Sequence, residues 1–197
     1  MTDMKRIDVA VFQKPKKGKY FCGDSYFYLE TESEFLCAIA DGLGSGEYAR
    51  ESSQIVIDII RKNMNESIES MIKICNEQLF GKRGVVLGIL KINFKSMLYS
   101  FSSIGNIGIV TANRNKKKKR SIPSSGYLAG YPRKFKVIHE KLEENMNFIM
   151  FSDGVNDKDL SALDIFGKNV ENIIQTFQYK SSPERDDDTT LIAMRYQ

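Results

Sequence analysis

FLCAIADGLGSGEYA, residues 35–49, places an apolar run directly before an aspartate and three alternating glycines. The run Phe35–Ala40 is typical of a strand that is buried on both faces. A carboxylate at the end of such a strand, here Asp41, is costly unless a cation or hydrogen bonds meet it. The glycines allow a tight turn and a close approach of a ligand to the backbone. The stretch therefore predicts an anion or metal site at a strand end, followed by a helix.

The patterns on either side of this stretch predict an α+β chain. Strands are expected at about 7–13, 20–30, 35–40, 85–94, 97–102, 106–111, 135–141, 147–151 and 189–196, and helices at about 46–62, 65–80, 159–166 and 169–178. Asn65 is the expected N-cap of the second helix. Because strands and helices do not alternate strictly, we expect antiparallel sheets flanked by paired helices rather than a parallel sheet.

The bulk composition is that of an ordinary globular protein. The 197 residues, 42% hydrophobic and 27% charged, predict a single domain over residues 1–197 with a substantial core. No apolar run approaches the ~18 residues of a membrane span, so no membrane partner is expected. Three cysteines without CxxC spacing indicate reduced thiols and a cytoplasmic location.

The basic run Lys116–Arg120 carries much of the net charge of +4. Such a run is usually the solvated tip of a hairpin. Aromatic residues, which stack on bases in single-stranded nucleic-acid sites, do not interleave with it. We therefore expect no nucleic-acid partner.

Four aspartates share one setting, because each lies beside a predicted strand: Asp24, Asp41, Asp153 and Asp186. Taken singly, each fits the ordinary role of a turn aspartate that bonds to the backbone. Carboxylates that converge on one point, however, cannot all stay ionised without a cation. Oxygen ligands favour Mg²⁺ or Mn²⁺ over zinc, and two such ions ~3.5–4 Å apart can clamp a phosphoryl group.

The ordered motifs that contain these aspartates resemble those of metal-dependent protein serine/threonine phosphatases of the 2C type. The motifs are Gly23-Asp24-Ser25, Ala40–Gly46, Ser152-Asp153-Gly154 and Asp186–Thr189. The resemblance covers nearly the whole chain and is strongest to the small bacterial branch with sporulation and general-stress phosphatases. It implies a four-layer α-β-β-α sandwich of two antiparallel sheets flanked by helix pairs. The short segment between Asp153 and Asp186 implies a minimal version without a large flap.

The resemblance also implies a role for each ligand. Asp41 would bridge two Mn²⁺ or Mg²⁺ ions, and Asp24 and the Gly42 carbonyl would belong to the first. Asp153 and Asp186 would hold the second ion. Asp186 is chosen because the family places this ligand three residues before a threonine, although Asp187 stays possible. Asp41 and Asp24 are therefore the expected catalytic residues.

The implied reaction is hydrolysis of phosphoserine or phosphothreonine on bacterial regulatory proteins of the stressosome type, through a metal-bridging hydroxide. Larger family members often use an arginine that grips phosphate and a histidine near the first metal. Here Arg6 is the one candidate for the former. His139, on a predicted strand far from any motif, is expected to be structural, which leaves a metal-bound water as the acid.

Three other interpretations stay open. Gly44–Ala49 fits a GxGxxA dinucleotide-binding pattern, which requires a strand directly after the helix. A degenerate phosphatase fold could act as a non-catalytic sensor or scaffold, which loss of metal binding would reveal. Ser45 could be a nucleophile, but no histidine base lies near it in sequence.

Overall fold

The computed structural model describes residues 5–115, 117–166 and 168–197. The strands are β1 (Ile7–Lys14), β2 (Asp24–Glu30), β3 (Glu34–Gly42), β4 (Val85–Asn93), β5 (Leu98–Ile104), β6 (Gly108–Ala112), β7 (Lys118–Arg120), β8 (Ile138–Lys141), β9 (Asn147–Phe151) and β10 (Thr189–Tyr196). The helices are α1 (Glu47–Lys62), α2 (Ile68–Gln78), α3 (Asp157–Ser161) and α4 (Val170–Lys180).

The strands form two antiparallel sheets of five strands each. The first sheet has the order β1-β10-β9-β6-β7, and the second has the order β2-β3-β4-β5-β8. Each sheet therefore mixes strands from distant parts of the chain, and the motifs of the N-terminal and C-terminal halves meet where the two sheets face each other.

Apolar side chains fill three layers. The layer between the sheets includes Ile39, Leu90, Phe148, Met150 and Ile192. The layer between the second sheet and α1 and α2 includes Val56, Ile60, Met71, Leu87 and Ile89. The layer between the first sheet and α3 and α4 includes Leu160, Ile173, Phe177, Leu191 and Ala193. These three apolar cores lie between the four layers of an α-β-β-α sandwich, so the expected fold class is confirmed.

Strand β3 is buried on both faces, as its apolar run predicts. Phe35, Cys37 and Ile39 face the layer between the sheets. Leu36 and Ala38 alternate with them and face α1 and α2. The two-residue period of a strand thus gives one continuous apolar run to two different cores.

Several element boundaries differ from the sequence-based expectation. Helix α2 is capped by Ser67, whose hydroxyl accepts the N–H of Ser70 at 3.1 Å, so the expected cap at Asn65 is wrong. Strand β2 begins only at Asp24, and β8 only at Ile138. Helix α3 starts earlier than expected because Asn156 forms a capping box in front of it.

Part of the basic run Lys116–Arg120 forms a strand rather than a hairpin tip. Lys118–Arg120 form β7, an exposed strand at the end of the first sheet, and Lys116 lies outside the described residues. In the described ranges, no helix has both the length and the apolar character that crossing a membrane requires. All three cysteine thiols are free and buried.

Candidate metal centre and active site

Asp24 and Asp41 face each other directly across β2 and β3. Like charges in such a pair destabilise a sheet. Burial is the main cause that raises the pKa of both carboxyls, and the charge of Asp24 raises the pKa of Asp41 further. A cation placed between them would relieve both the desolvation and the repulsion.

The carboxylate of Asp24 is held by one oxygen only. Its Oδ2 accepts hydrogen bonds from the hydroxyls of Ser152 and Thr190, each at 2.7 Å. Gln13 donates from Nε2 to Thr190 Oγ1 at 3.1 Å and to the Asp24 carbonyl at 3.2 Å. The other carboxylate oxygen, Oδ1, is buried and has no hydrogen-bond partner among the described residues. Such an atom is costly unless an ion or a water meets it.

Asp153 follows β9 and reaches the same region from the first sheet. Its Oδ2 accepts a hydrogen bond from Asn106 Nδ2 at 2.6 Å. Burial raises the pKa of Asp153, and the charge of Asp187 adds to this effect. The next residue, Gly154, must be a glycine because a Cβ there would lie 2.2 Å from the backbone oxygen of Asp188. Asp153 is therefore held beside the C-terminal aspartates by close backbone contact.

The three consecutive aspartates before β10 differ in exposure and in their contacts. Both carboxylate oxygens of Asp188 accept backbone N–H groups, those of Lys16 and Gly23, at 2.9 Å each. Asp188 thus ties the loop before β2 to the start of β10. Asp187 is exposed, and its charge contributes to the raised pKa values of Asp41 and Asp153.

Asp186 is also exposed. The carboxyl charges that raise the pKa of Asp41 are those of Asp24, Asp153, Asp187 and Asp188. The structure therefore brings three of the expected ligands together with the last two aspartates of the run. The assignment of Asp186 as a ligand stays a prediction.

The acidic residues suit a hydrated hard cation better than zinc. Among the described residues, no group of three His, Cys, Asp or Glu side chains forms a complete metal-binding cluster by itself. Zinc sites need three or four close protein ligands. Mg²⁺ instead keeps several waters and takes only one or two carboxylates. Facing carboxylates with a buried, unpaired oxygen at Asp24 fit this second kind of site.

Gly42 allows α1 to begin directly against the end of β3. A Cβ at Gly42 would lie 1.9 Å from the backbone oxygen of Ala49. The hydroxyl of Ser53, also on α1, donates to the Gly23 carbonyl at 2.7 Å. These contacts fix the backbone on both sides of the facing aspartates.

A buried arginine supports the site from behind. The guanidinium of Arg185 donates from Nη2 to Asp159 at 3.0 Å and to the Gly154 carbonyl, and from Nε to Thr189 Oγ1 at 3.1 Å. It also lies over the ring of Phe177 on α4, at 5.3 Å from the ring centre. Arg185 thus joins the loop after β9 to the start of β10.

Sequence reasoning missed four residues that shape the site: Gln13, Asn106, Arg185 and Thr190. The signal that could have found two of them is a polar residue at an inward position of an apolar strand. Gln13 and Thr190 are such residues, and they face each other in the register of β1 and β10.

Arg6 is not placed to grip phosphate at this site. It precedes β1 at the end where Ile7 pairs with Tyr196, whereas the site lies where Lys14 pairs with Thr189. Seven residues of strand separate these ends, roughly 23 Å. The suggestion that Arg6 serves the site is therefore wrong.

His139 lies at the edge of the second sheet. It is on β8, exposed, and its Nδ1 is 2.7 Å from the hydroxyl of Ser100. Strands β5 and β4 separate β8 from β3, so the imidazole is roughly 20 Å from Asp41. Ser45 accordingly has no histidine base nearby, as expected from the sequence.

Two other chemistries are also disfavoured by the geometry. The dinucleotide-binding pattern requires a parallel strand after α1, but α2 follows instead and β3 pairs only with antiparallel neighbours. Thiolate chemistry at Cys22, which lies two residues before Asp24, is disfavoured as well. Burial raises the pKa of the Cys22 thiol to about 12, so the thiol stays protonated at neutral pH.

Among known proteins, the sequence is similar to that of a phosphatase of similar length. The chain is 36% identical over 186 residues to the phosphoserine phosphatase RsbX of Bacillus subtilis strain 168, which covers 94% of each protein. No protein-family model matches the chain.

Solved structures agree with this relative. The crystal structure of RsbX in complex with magnesium superposes with a TM-score of 0.91 at 34% identity, over 99% of this chain and 98% of that one. The serine/threonine phosphatase PstP of Mycobacterium tuberculosis has the same fold, with a TM-score of 0.75 at 13% identity over 97% of this chain and 99% of that one. The resemblance seen in the motifs is thus confirmed, and the chain belongs to the metal-dependent protein serine/threonine phosphatases of the PP2C type, in the branch that contains RsbX.

Proposed function

We propose that the protein removes phosphate from serine or threonine side chains of a stressosome-type regulatory protein in the cytoplasm. RsbX is a phosphoserine phosphatase. A structure from a report on the bacterial stressosome shares the fold at a TM-score of 0.86 and 23% identity. Three buried, free thiols fit a reducing compartment. Residues 1–197 would act as a single catalytic domain.

One observation carries the metal-dependent part of this proposal. The carboxylate of the buried Asp24 faces that of the half-buried Asp41, and Asp24 Oδ1 has no partner among the described residues. A protein gains nothing in stability from such a pair without a cation. RsbX, the relative that is 34% identical in the structural comparison, is described in complex with magnesium.

The ligands that we propose combine this geometry with the roles that the family resemblance implies. Asp41 would be shared between two Mg²⁺ or Mn²⁺ ions, with Asp24 and the Gly42 carbonyl on the first. Asp153 would hold the second ion. For the last ligand we favour Asp187 over Asp186, because the charge of Asp187 acts on Asp41 and Asp153. Asp187 Oδ1 accepts the N–H of Asp188 at 2.9 Å, so Oδ2 would be the atom that meets an ion. Asp188 already uses both oxygens on backbone N–H groups.

When bound, the ions supply an activated water and neutralise the phosphoryl charge. The chain's own residues position the ligands. Ser152 and Thr190 fix the orientation of Asp24, and Asn106 fixes that of Asp153. The segment after Asp153 packs as α3 and α4 on the first sheet rather than over the site. The site therefore stays open enough for a folded protein substrate.

Hydrolysis of p-nitrophenyl phosphate tests the proposal. Wild type should hydrolyse this substrate when Mn²⁺ or Mg²⁺ is present, and a chelator should abolish the activity. Asp41→Asn should lower kcat/KM at least about 100-fold. Glu32→Gln, at an exposed loop carboxyl, is the control and should match wild type. Metal binding measured by calorimetry without any turnover of p-nitrophenyl phosphate or a phosphoserine peptide would favour the non-catalytic scaffold.

The last ligand is tested separately. Asp187→Asn should weaken Mn²⁺ binding in calorimetry about tenfold or more, and Asp186→Asn should change it less than about threefold. The reverse order would restore Asp186 as the ligand. These two variants differ by one position in an exposed loop, so each serves as the control for the other.

A further inference from the structure

A groove opens directly beside Asp153. Its volume is about 390 Å³, and Asp153 is one of the residues that line it. Asn106, Asn156 and Asp157 also line the groove. Arg120 and Ser121, at and after the end of β7, complete this part of the lining. Because Asp153 belongs to the acidic site, the groove adjoins that site.

Arg120 places a cation in this groove, which the carboxylates of Asp153 and Asp157 also line. Its guanidinium lies 5.5 Å from the centre of the Phe151 ring and 2.6 Å from Asp157. The side chains of Arg120 and Asp157 are 54% and 83% exposed, so this ion pair is weak and easily exchanged. Phe151 thus keeps the guanidinium in place, while another carboxylate can replace Asp157.

Ser121 adds an unused polar atom to the groove. Its side chain is 9% exposed, and its hydroxyl has no hydrogen-bond partner among the described residues. Its backbone N–H is already bound to Ile109 in the sheet. A buried hydroxyl without a partner costs stability unless a ligand or a water completes it.

Two further lysines lie on β7 next to the groove. Lys118 and Lys119 precede Arg120, all three are exposed, and Lys119 is paired with Glu140. Positive charge along one edge of a site raises the local concentration of acidic ligands.

We propose that the groove binds the polypeptide segment around the phosphorylated side chain, and that Arg120 selects segments with acidic residues there. Ser121 would hydrogen-bond the same segment. This inference rests on the proposed function, since it names the class of substrate of the same site. Arg120 is a specificity-determining residue, and p-nitrophenyl phosphate, which lacks a peptide, does not use it.

The test compares two phosphoserine peptides that differ only in their flanking residues, glutamate in one and lysine in the other. Phosphate release with Mn²⁺ should give wild type about a threefold to tenfold higher kcat/KM for the glutamate peptide. Arg120→Gln should bring this ratio close to one, and Arg120→Lys should keep part of it. Turnover of p-nitrophenyl phosphate should stay within about twofold of wild type in both variants.

Arg114→Gln is the matched control. Arg114 lies on the same hairpin and pairs with Glu144 at 4.0 Å outside the groove. The substitution therefore removes the same charge at a position away from the groove. It should leave the peptide ratio as in wild type. Ser121→Ala should lower kcat/KM for both peptides without lowering the melting temperature, because it removes a hydroxyl that has no partner in the described chain.

Two results would overturn the groove proposal while leaving the phosphatase intact. One is a peptide ratio that Arg120→Gln does not change, and the other is an equal change in Arg114→Gln, which would indicate a general charge effect. A wild type that hydrolyses neither p-nitrophenyl phosphate nor the peptides with either metal would instead overturn the proposed function, and the groove proposal with it.

Discussion

Asp24 and Asp41 are two carboxylates placed where a folded chain would not place them for stability. They face each other, Asp24 is buried and Asp41 is half-buried, and burial raises the pKa of each. The hydroxyls of Ser152 and Thr190 compensate only one oxygen of Asp24. The local cost is consistent with a site arranged for a ligand rather than for the fold, as is common at functional positions.

The first residue-scale prediction concerns the metal-free protein. A carboxyl whose pKa is raised in the folded state binds more protons there than in the unfolded chain. The contribution of such a carboxyl to the free energy of unfolding is therefore fully present below its ordinary pKa near 4. This contribution is lost as the pH rises through the raised pKa of the folded state. We expect Asp41→Asn to stabilise the chelated protein at pH 7–8 by on the order of 1–2 kcal/mol.

Thermal unfolding in chelator at pH 5 and pH 8 checks this. The gain from Asp41→Asn should be larger at pH 8, and Glu32→Gln should show no such dependence. Added Mn²⁺ should reverse the order, because binding to the folded state stabilises wild type alone. A loss of stability in Asp41→Asn at pH 8 would mean that the carboxylate is compensated without metal.

The second residue-scale prediction concerns Thr190. Its hydroxyl donates to Asp24 and accepts from Gln13, and its side chain is fully buried. Thr190→Val should cost about 1–3 kcal/mol in urea unfolding. It should also weaken Mn²⁺ binding about tenfold, because Asp24 loses a positioning hydrogen bond. The hydroxyl of Thr176 bonds within α4, so Thr176→Val should leave Mn²⁺ binding unchanged.

At the scale of elements, the site depends on how loops are joined rather than on the strands alone. Arg185 connects the loop after β9, helix α3, helix α4 and the start of β10. Its ion pair with Asp159 is buried, with side chains 5% and 9% exposed. Removal of one partner leaves the other charge uncompensated inside the protein.

The element-scale prediction follows from this pair. Asp159→Asn should lower the free energy of unfolding by about 3 kcal/mol or more, since Arg185 stays buried. The matched control is Asp164→Asn, which breaks the exposed pair with Lys168 at 3.7 Å and should cost less than about 1 kcal/mol. Urea unfolding measures both. If both substitutions lowered the free energy of unfolding by the same amount, burial would not determine the contribution of the Arg185–Asp159 pair to stability.

At the scale of the whole molecule, the two sheets are held together by the apolar layer between them. Phe148 on β9 is fully buried there, and its ring meets that of Tyr99 on β5 edge to face, with the ring centres 5.1 Å apart. This contact crosses from one sheet to the other. The proposed metal site would depend on this contact, because its expected ligands come from both sheets.

The whole-molecule prediction is that Phe148→Ala lowers the free energy of unfolding by about 3–5 kcal/mol through the cavity it leaves. Metal affinity should fall as well, since Asp153 follows the same strand. Tyr179→Ala, at a side chain that is 91% exposed on α4, should change unfolding in urea by less than about 0.5 kcal/mol. A loss of stability without any change in Mn²⁺ binding would show that the site does not depend on this layer.

Much of the fold was predictable because its signals are local. The apolar run before Asp41 indicated a strand buried on both faces, and the order of strands and helices indicated antiparallel sheets with paired helices. The family resemblance rested on motifs that are each short and continuous. Element ends were less predictable, as at Ser67, because several polar residues in a row can serve as a cap.

By itself, the sequence determined the buried strand with its terminal carboxylate, the acidic motifs and the phosphatase family. Only the tertiary structure decided which groups share a point in space. The charges of Asp187 and Asp188 both act on Asp41 and Asp153, but only for Asp188 does the fold engage both carboxylate oxygens with backbone N–H groups of a distant segment. Gln13, Asn106 and Arg185 enter the site through strand register and loop contacts between distant segments. Such contacts depend on long-range pairing, which short stretches of sequence do not encode.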